Sequence, residues 1–535
     1  MSNPDEAERR TSPHSNEPPT RPETDKRLGI GRIVINTLTS QLDRVVDALV
    51  FIVLIPIVVH TIGQEQYGLW SLVWAVVSLF ALIDLGFGAA VVKYVADARG
   101  RGDSNRLRLV VCTLFWVFVA QSVVLGVVSM LLFRGFDNMF ELPPELRPTA
   151  QVVFIVVASG YLLKLPTAMF RGVLTGDQKL WLANIYQVAT NLLYFVAVLV
   201  ILPLAPDLET FAFLNWIVTL LPGIAVTVHC AVTMRGELSL VPRNFDWALL
   251  REIWGFSAYQ MIVQVGTLLG SRADMFVVKS ALPLTAVAVY AIALRVSEQV
   301  RTFCVQITRT LTPVVAELHS AGREESLRKV WLAGTRFSVA FAAPLLVGCA
   351  VLAEPLIHSW LGPEFADTVL PLQLLLVATF AGLIHGNSQS QLAMTGEQRF
   401  LALAMCLGQA VNVGLSLGLV HDFGLVGVAA ATLMGPLATD VCLVQPRLGA
   451  KTRVSPLSFY RQTLIPSVVP TVVMVAFQHA LRRLWHLGAL WEVAAVEVLN
   501  LLVFWAAFWR FGLSPAERQF VLERVRSHFG RAVAR

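Results

Sequence analysis

Apolar runs long enough to cross a bilayer recur along the whole chain, as in Leu49–Val59 with Leu69–Leu82, Leu109–Phe133 and Val152–Leu163. About 20 apolar residues span a hydrocarbon core of roughly 30 Å as a helix. Period-two alternation over short segments is absent, which excludes an outer-membrane barrel. Helices remain, because lipid offers no partner for an unpaired backbone N–H or C=O. The pattern predicts helices near 32–60, 67–96, 107–133, 148–170, 180–202, 211–234, 249–280, 284–318, 326–352, 367–393, 399–420, 424–448, 460–481 and 487–509. The expected fold is therefore an all-α polytopic membrane protein of about fourteen transmembrane helices.

Composition agrees. Of 535 residues, 56% are hydrophobic and 15% charged, against about 25% charged in soluble domains. Residues 1–31 differ, being polar and Pro-rich, and are expected to form a disordered cytoplasmic tail. No signal peptide is expected, the first span acting as export signal. The net charge of +6 reads as topology and not as nucleic-acid binding, because Lys and Arg cluster at helix ends. Even-numbered loops carry most of them (Arg99, Arg101, Arg106, Arg108, Arg235, Arg243, Arg447, Lys451), so those loops and both termini are expected in the cytoplasm. The basic tail 510–535 agrees; Arg482 and Arg483, in an odd loop, do not. Cys112, Cys230, Cys304, Cys349, Cys406 and Cys442 lie in apolar segments without a CxxC pair, and read as small core residues.

Two passages resemble each other. Leu174-Thr175-Gly176-Asp177-Gln178-Lys179 is followed by Asn191, and Met394-Thr395-Gly396-Glu397-Gln398-Arg399 by Asn412. The glycines lie 220 positions apart, and Tyr67 and Tyr290 lie 223 apart. This spacing predicts a duplication of six helices. An even number of spans puts both copies the same way up, as in parallel-repeat transporters. The expected organisation is a lobe at 32–234, a second at 249–448, and two additional helices at 460–509.

Charges inside apolar runs mark a path, since an ionisable group at membrane depth faces water or a partner. The first helix carries Asp43, Arg44 and Asp47. The seventh carries Arg272 and Asp274, and the second carries Asp84. In the eighth, at ~100° per residue, Arg295, Glu298, Arg301, Gln306 and Arg309 fall within an arc of roughly 140°. That stripe is net cationic and suits a phosphate group. Asp84 and Asp274 are candidate proton or cation sites, with pairing to an arginine as the structural alternative. Asp440 is a weaker candidate.

These features resemble the polysaccharide transporter branch of the multidrug/oligosaccharidyl-lipid/polysaccharide exporter superfamily, whose members include Wzx-type O-antigen flippases. The resemblance rests on Ile62-Gly63-Gln64-Glu65-Gln66-Tyr67-Gly68, Leu82-Ile83-Asp84-Leu85-Gly86-Phe87-Gly88, Ser271-Arg272-Ala273-Asp274, Val289-Tyr290-Ala291, Trp360-Leu361-Gly362-Pro363-Glu364-Phe365 and Phe423-Gly424-Leu425-Val426-Gly427, in that order. It implies two six-helix lobes around a cationic cavity that opens alternately to each side. The implied cargo is undecaprenyl-diphosphate-linked oligosaccharide, crossing from the inner to the outer leaflet of a bacterial cytoplasmic membrane. By the same analogy Arg272, Arg295, Arg301 and Arg309 attract the diphosphate. Arg44 is a further substrate-binding candidate from its place in the first helix, and Asp43, Asp47, Asp84, Asp274 and Glu298 are candidates for ion coupling or charge pairing. No metal or cofactor is expected; coupling is to a proton or sodium gradient or to membrane potential. Polymerase and other polysaccharide-assembly proteins are the implied partners. A lipid II flippase shares this plan and stays open as a reading. A membrane enzyme, polymerase or ligase, ranks lower, because no large extramembrane loop, DxD pattern or GxxxxGK[ST] cradle occurs.

Overall fold

The computed structural model describes the backbone of residues 23–84, 86–485, 487–519 and 522–523, with side chains apart from 23–30, 32–33, 84 and 255–271. Among the described residues the chain is helical throughout and has no strand. Eleven helical stretches there are long and apolar enough to cross a membrane. The first 22 residues and most of the basic C-terminal tail lie outside the described residues, as does the side chain of Asp84.

The helices, in order, are α1 (Glu23–Ile62), α2 (Gln64–Ser78), α3 (Phe87–Arg101), α4 (Ser104–Met139), α5 (Arg147–Gly176), α6 (Leu180–Ile201), α7 (Leu208–Thr233), α8 (Trp247–Ala281) and α9 (Leu284–Cys304). They continue with α10 (Gln306–Ser320), α11 (Glu324–Val351), α12 (Ala353–Leu361), α13 (Val369–Met394), α14 (Gln398–Thr439), α15 (Gln445–Thr452), α16 (Pro456–Thr463), α17 (Ile465–Leu484) and α18 (Leu490–Ala507). Where a helix starts on Asp, the side chain caps it: Asp103 accepts from Arg106 N at 2.9 Å and Asp207 from Thr210 N at 2.7 Å. Such caps satisfy backbone donors that the first turn leaves free.

Three expectations change and a fourth holds. The span drawn at 67–96 is interrupted, α2 continuing as a 3-10 turn to Asp84 before α3 begins at Phe87. The eighth span divides into α9 and α10 at Val305. The loop drawn at 353–366 contains α12 and a 3-10 turn, Pro363–Thr368. Finally, α14 is two helical limbs joined at Gly424, whose φ of 57° and ψ of −136° lie outside the helical region. A side chain would be strained there. Gly435 on the second limb packs on the backbone of Gly408 and Asn412 on the first, so the limbs run antiparallel, as the separate spans 399–420 and 424–448 anticipated.

Packing gathers α1–α7 into one group, through α5 on α7, α1 on α6 and α4 on α5, and α8–α14 into another, through α13 on α14, α11 on α13 and α14 on α8. α17 and α18 pair with each other and lean on α11. The two groups meet chiefly where α2 crosses α9. There Gly68 abuts Leu284, whose carbonyl oxygen occupies the space a β-carbon at Gly68 would take. Tyr67 and Tyr290, the matched tyrosines, thus stand on the two helices that meet.

The matched acidic positions of the repeat behave alike. Asp177 is held by Arg99 at 3.1 Å and Lys179 at 2.7 Å, and Glu397 by Arg447 at 3.1 Å and Lys451 at 2.7 Å. Arg99 also binds Glu237 at 2.6 Å and holds its carboxyl below the usual range, and the two cations at Glu397 do the same there. Arg482 is accommodated at the end of α17: it donates to Val351 O at 3.1 Å and pairs with Glu354 at 2.9 Å.

Candidate functional site

Two adjoining cavities with charged residues in their walls lie between the groups. The deeper encloses about 320 Å³ and is walled by α1, α2, α6 and α7 on one side and α8 and α9 on the other. Its lining mixes Tyr67, Trp70, Trp74 and Phe211 with Asp47, Asn191, Asn215, Arg272, Arg295 and Glu298. The second, of about 470 Å³, adds Asp43, Arg44, Arg171, Gln187, Gln299 and Arg301. Asp47, Asn191, Arg295 and Glu298 belong to both, so the two form one continuous space.

Its charges are arranged across the seam. Arg295 of α9 lies 3.5 Å from Asp47 of α1, and Gln299 donates to the same carboxylate at 3.1 Å. The Arg295 guanidinium also sits over the Phe51 ring, 5.5 Å from its centroid. Arg272 faces Glu298 at 3.8 Å. The side chains of Arg295 and Asp47 are 46% and 50% exposed although they stand between packed helices, which makes the space water-accessible. Five arginines (Arg44, Arg171, Arg272, Arg295 and Arg301) against Asp43, Asp47 and Glu298 leave the walls with a net charge of +2. Loose pairs such as these orient guanidinium groups without neutralising them, and forked donors match phosphate oxygens.

The end of the seam near Ile62 is shut. Tyr67 and Leu284 are buried, Trp360 Nε1 donates to Ile52 O at 2.7 Å, and Gln64 Nε2 donates to Glu364 O at 3.3 Å. His60 stands 3.6 Å from Glu364 and meets Phe365 edge-on.

The structure brings together Asp43, Arg44, Asp47, Arg272, Arg295, Glu298 and Arg301 from the sequence-based set. Arg309 stands apart: it lies on α10, beyond the interruption at Val305, and lines neither of these two cavities. Gln306 likewise turns back to Thr302 O at 2.8 Å. Asp274 is buried outside the cavity among α8, α9 and α14. It accepts from Tyr290 at 2.8 Å, Thr432 at 2.7 Å and Asn412 at 3.3 Å. No arginine pairs with it among the described residues. Asp440 is buried too, accepting from Gln389 at 2.9 Å with His385 at 3.6 Å.

Sequence reasoning missed Arg171. The span expected at 148–170 stops one residue short of it, but it lies more than a turn inside α5, held by Asn184 at 2.8 Å, which in turn bonds Ser40 of α1 at 2.9 Å. Polar residues on α6 facing the polar half of α1 were the available signal.

An apolar groove of about 880 Å³ runs beside the polar space, between α1, α9, α11, α12 and α18. Gln299 and Phe303 line both the groove and the second cavity, while Phe51 lines the groove and the deeper one. Its rim residues Ile52 and Trp491 are exposed on the flank of the bundle.

Comparisons with known proteins fit this arrangement. A family model described as "Polysaccharide biosynthesis protein" matches residues 33–319. The uncharacterized membrane protein EpsK of Bacillus subtilis is 22% identical over 402 residues, 72% of this chain and 76% of that one. A candidate O-antigen transporter of Salmonella typhi is 20% identical over 306 residues, 56% of this chain and 69% of the relative. Among solved structures, the lipid II flippase MurJ in an inward closed conformation aligns with TM-score 0.67 at 13% identity, covering 89% of this chain and 99% of that one. An inward-facing multidrug resistance MATE transporter aligns at 0.63 and 16% identity, covering 76% and 99%. At these identities the structural likeness concerns the fold.

Proposed function

The chain belongs to the polysaccharide biosynthesis protein family, and from that premise we propose that it is a flippase for undecaprenyl-diphosphate-linked oligosaccharide. The cargo is an O-antigen, capsule or exopolysaccharide repeat unit, moved from the inner to the outer leaflet of the bacterial cytoplasmic membrane. The observation that carries the reading is the junction of a cationic, water-accessible cavity with an apolar groove on the bundle's flank. A lipid-linked glycan has those two parts. Its diphosphate suits the Arg44, Arg171, Arg272, Arg295 and Arg301 surface, and its polyprenyl chain suits the groove. Aromatic faces at Trp70 and Trp74 suit a sugar.

In this reading the chain crosses the membrane fourteen times with both ends cytoplasmic, as lobes 32–234 and 249–448 plus helices at 460–509. The shut end of the seam then faces outward and the polar cavity faces the cytoplasm, ready to load. Alternating access breaks the α2–α9 contact and closes the arginine-lined end. No chemistry is performed on the cargo, so the protein is a secondary transporter, working beside polymerase and other assembly proteins. Asp274 is the ion-coupling residue: one carboxylate with two hydroxyls and an amide suits a proton or a monovalent cation better than a divalent metal, which takes more charge.

Deleting the gene in its host tests the function. Lipid-linked oligosaccharide should accumulate on the inner leaflet. Unpolymerised units accumulating in the outer leaflet would instead indicate an enzyme. Purified protein in proteoliposomes, offered the oligosaccharide lipid and lipid II in parallel, identifies the cargo.

A further inference from the structure

The apolar groove has one carboxylate in its wall, Glu497 of α18. It sits seven residues into the helix, roughly 10 Å along the axis from its start. Its surroundings are unusual in their balance of donors and acceptors. Glu497 approaches the backbone of α11 at Gly348, where a β-carbon would lie 2.6 Å from both carboxyl oxygens. Asn500 Nδ2 donates to Glu497 Oε2 at 3.2 Å, and Gln478 Nε2 of α17 donates to Gly348 O at 3.0 Å. These bonds fix both amides with their oxygens free.

Three buried oxygens therefore have no donor among the described residues: Glu497 Oε1, Asn500 Oδ1 and Gln478 Oε1. Asn500 and Gln478 are fully buried. The titratable group that faces it is the Cys349 thiol of α11, in the same groove wall, and no Lys, Arg or His bonds to Glu497 among the described residues. An unmatched buried acceptor costs about 1–3 kcal/mol, and a hydrogen on the Glu497 carboxyl removes one of the three. A protonated Glu497 is a donor and carries no charge that needs a counter-ion. Neutral, it also leaves the groove wall uncharged.

We propose that Glu497 is a proton-binding site linked to the occupancy of the groove: a hydrophobic chain lying there favours the neutral acid, and the proton favours the chain. The reciprocity follows from linkage, since each ligand shifts the other by the same factor. Water at the membrane interface, where α18 begins, supplies and receives the proton. The inference rests on the groove as the seat of the polyprenyl chain.

The test uses the full purified chain and a long polyprenol without phosphate or sugar, so that the arginines play no part. Wild-type affinity should fall as pH rises through the titration of Glu497, by up to about tenfold per pH unit where one proton is linked. Glu497→Gln, which is neutral at every pH, should bind throughout as wild type does at low pH. Infrared spectra of the wild type should show a protonated-carboxyl C=O band at neutral pH that Glu497→Gln lacks. Polyprenol binding that is independent of pH, or an unchanged band in Glu497→Gln, overturns the proton site and leaves the groove standing. No polyprenol binding at any pH overturns the groove reading and the linkage together.

Discussion

Arg295 of α9 reaches across the seam to Asp47 of α1, 3.5 Å away, and the two side chains stay about half exposed while doing so. The pair joins the two helix groups within the space where a cargo would sit. An anionic ligand entering there competes with Asp47 for the guanidinium, which links loading to loosening of the seam.

Arg295→Ala and Arg301→Ala should each reduce translocation of lipid-linked oligosaccharide in proteoliposomes more than tenfold, with normal membrane insertion. Asp47→Asn should retain cargo binding, because it removes a competitor of the phosphate and not a ligand. Wild-type rates in both arginine variants would refute the cationic path. Arg309→Ala, outside the cavities, serves as the control and should change the rate little.

Gly68 has no room for a side chain against Leu284. Gly68→Ala should therefore weaken the shut end of the seam by about 1–3 kcal/mol, the usual range for overpacking. A cysteine placed at the fully buried Val287 on α9 should then react faster with a membrane-impermeant thiol reagent added from outside. Equal labelling with and without Gly68→Ala would show that this contact does not hold the gate.

Asp274 is buried and takes all its hydrogen bonds from neutral groups. Asp274→Asn should keep the fold while abolishing dependence of transport on an imposed proton or sodium gradient. Persistence of that dependence would remove Asp274 as the coupling residue.

The Arg99–Glu237 pair predicts a pH effect. Arg99 depresses the Glu237 carboxyl in the folded chain. Its stabilising contribution is thus present above the unfolded value of about 4.3 and disappears as pH falls through the folded one. Arg99→Ala should lower the Tm at pH 7, and the gap to wild type should narrow steadily in acid. Both groups are partly exposed, so the shift is small and shrinks with salt. A constant gap from pH 7 to acid would assign the effect of Arg99 to packing.

Much of the candidate site was readable because charge in an apolar run has few places to go. Asp43, Arg44, Asp47, Arg272, Arg295, Glu298 and Arg301 stood out on that ground, and all line the polar space. Arg171 did not, since a charge little more than a turn from a helix end reads as a loop residue. The interruption at Val305, which separates Arg309 from the stripe, falls where no glycine or proline marks it. Glu497, inside the last apolar run, carries the same signal as those charges; the groove carries none, because residues such as Leu345, Leu352 and Val493 are as apolar as those that face lipid.

Sequence alone determined the membrane-spanning helical character, the paired turns at Gly176 and Gly396, and which charges must find water or a partner. Those follow from local rules, because hydrocarbon length, backbone hydrogen bonding and the cost of burying charge act on each segment separately. Tertiary structure decided which helices meet across the seam, that Asp274 lies outside the cavity while Asp47 lies in it, and that an apolar groove adjoins the arginines. Those depend on contacts between residues hundreds of positions apart, such as Ile52 with Trp360, and no periodicity within one segment records them.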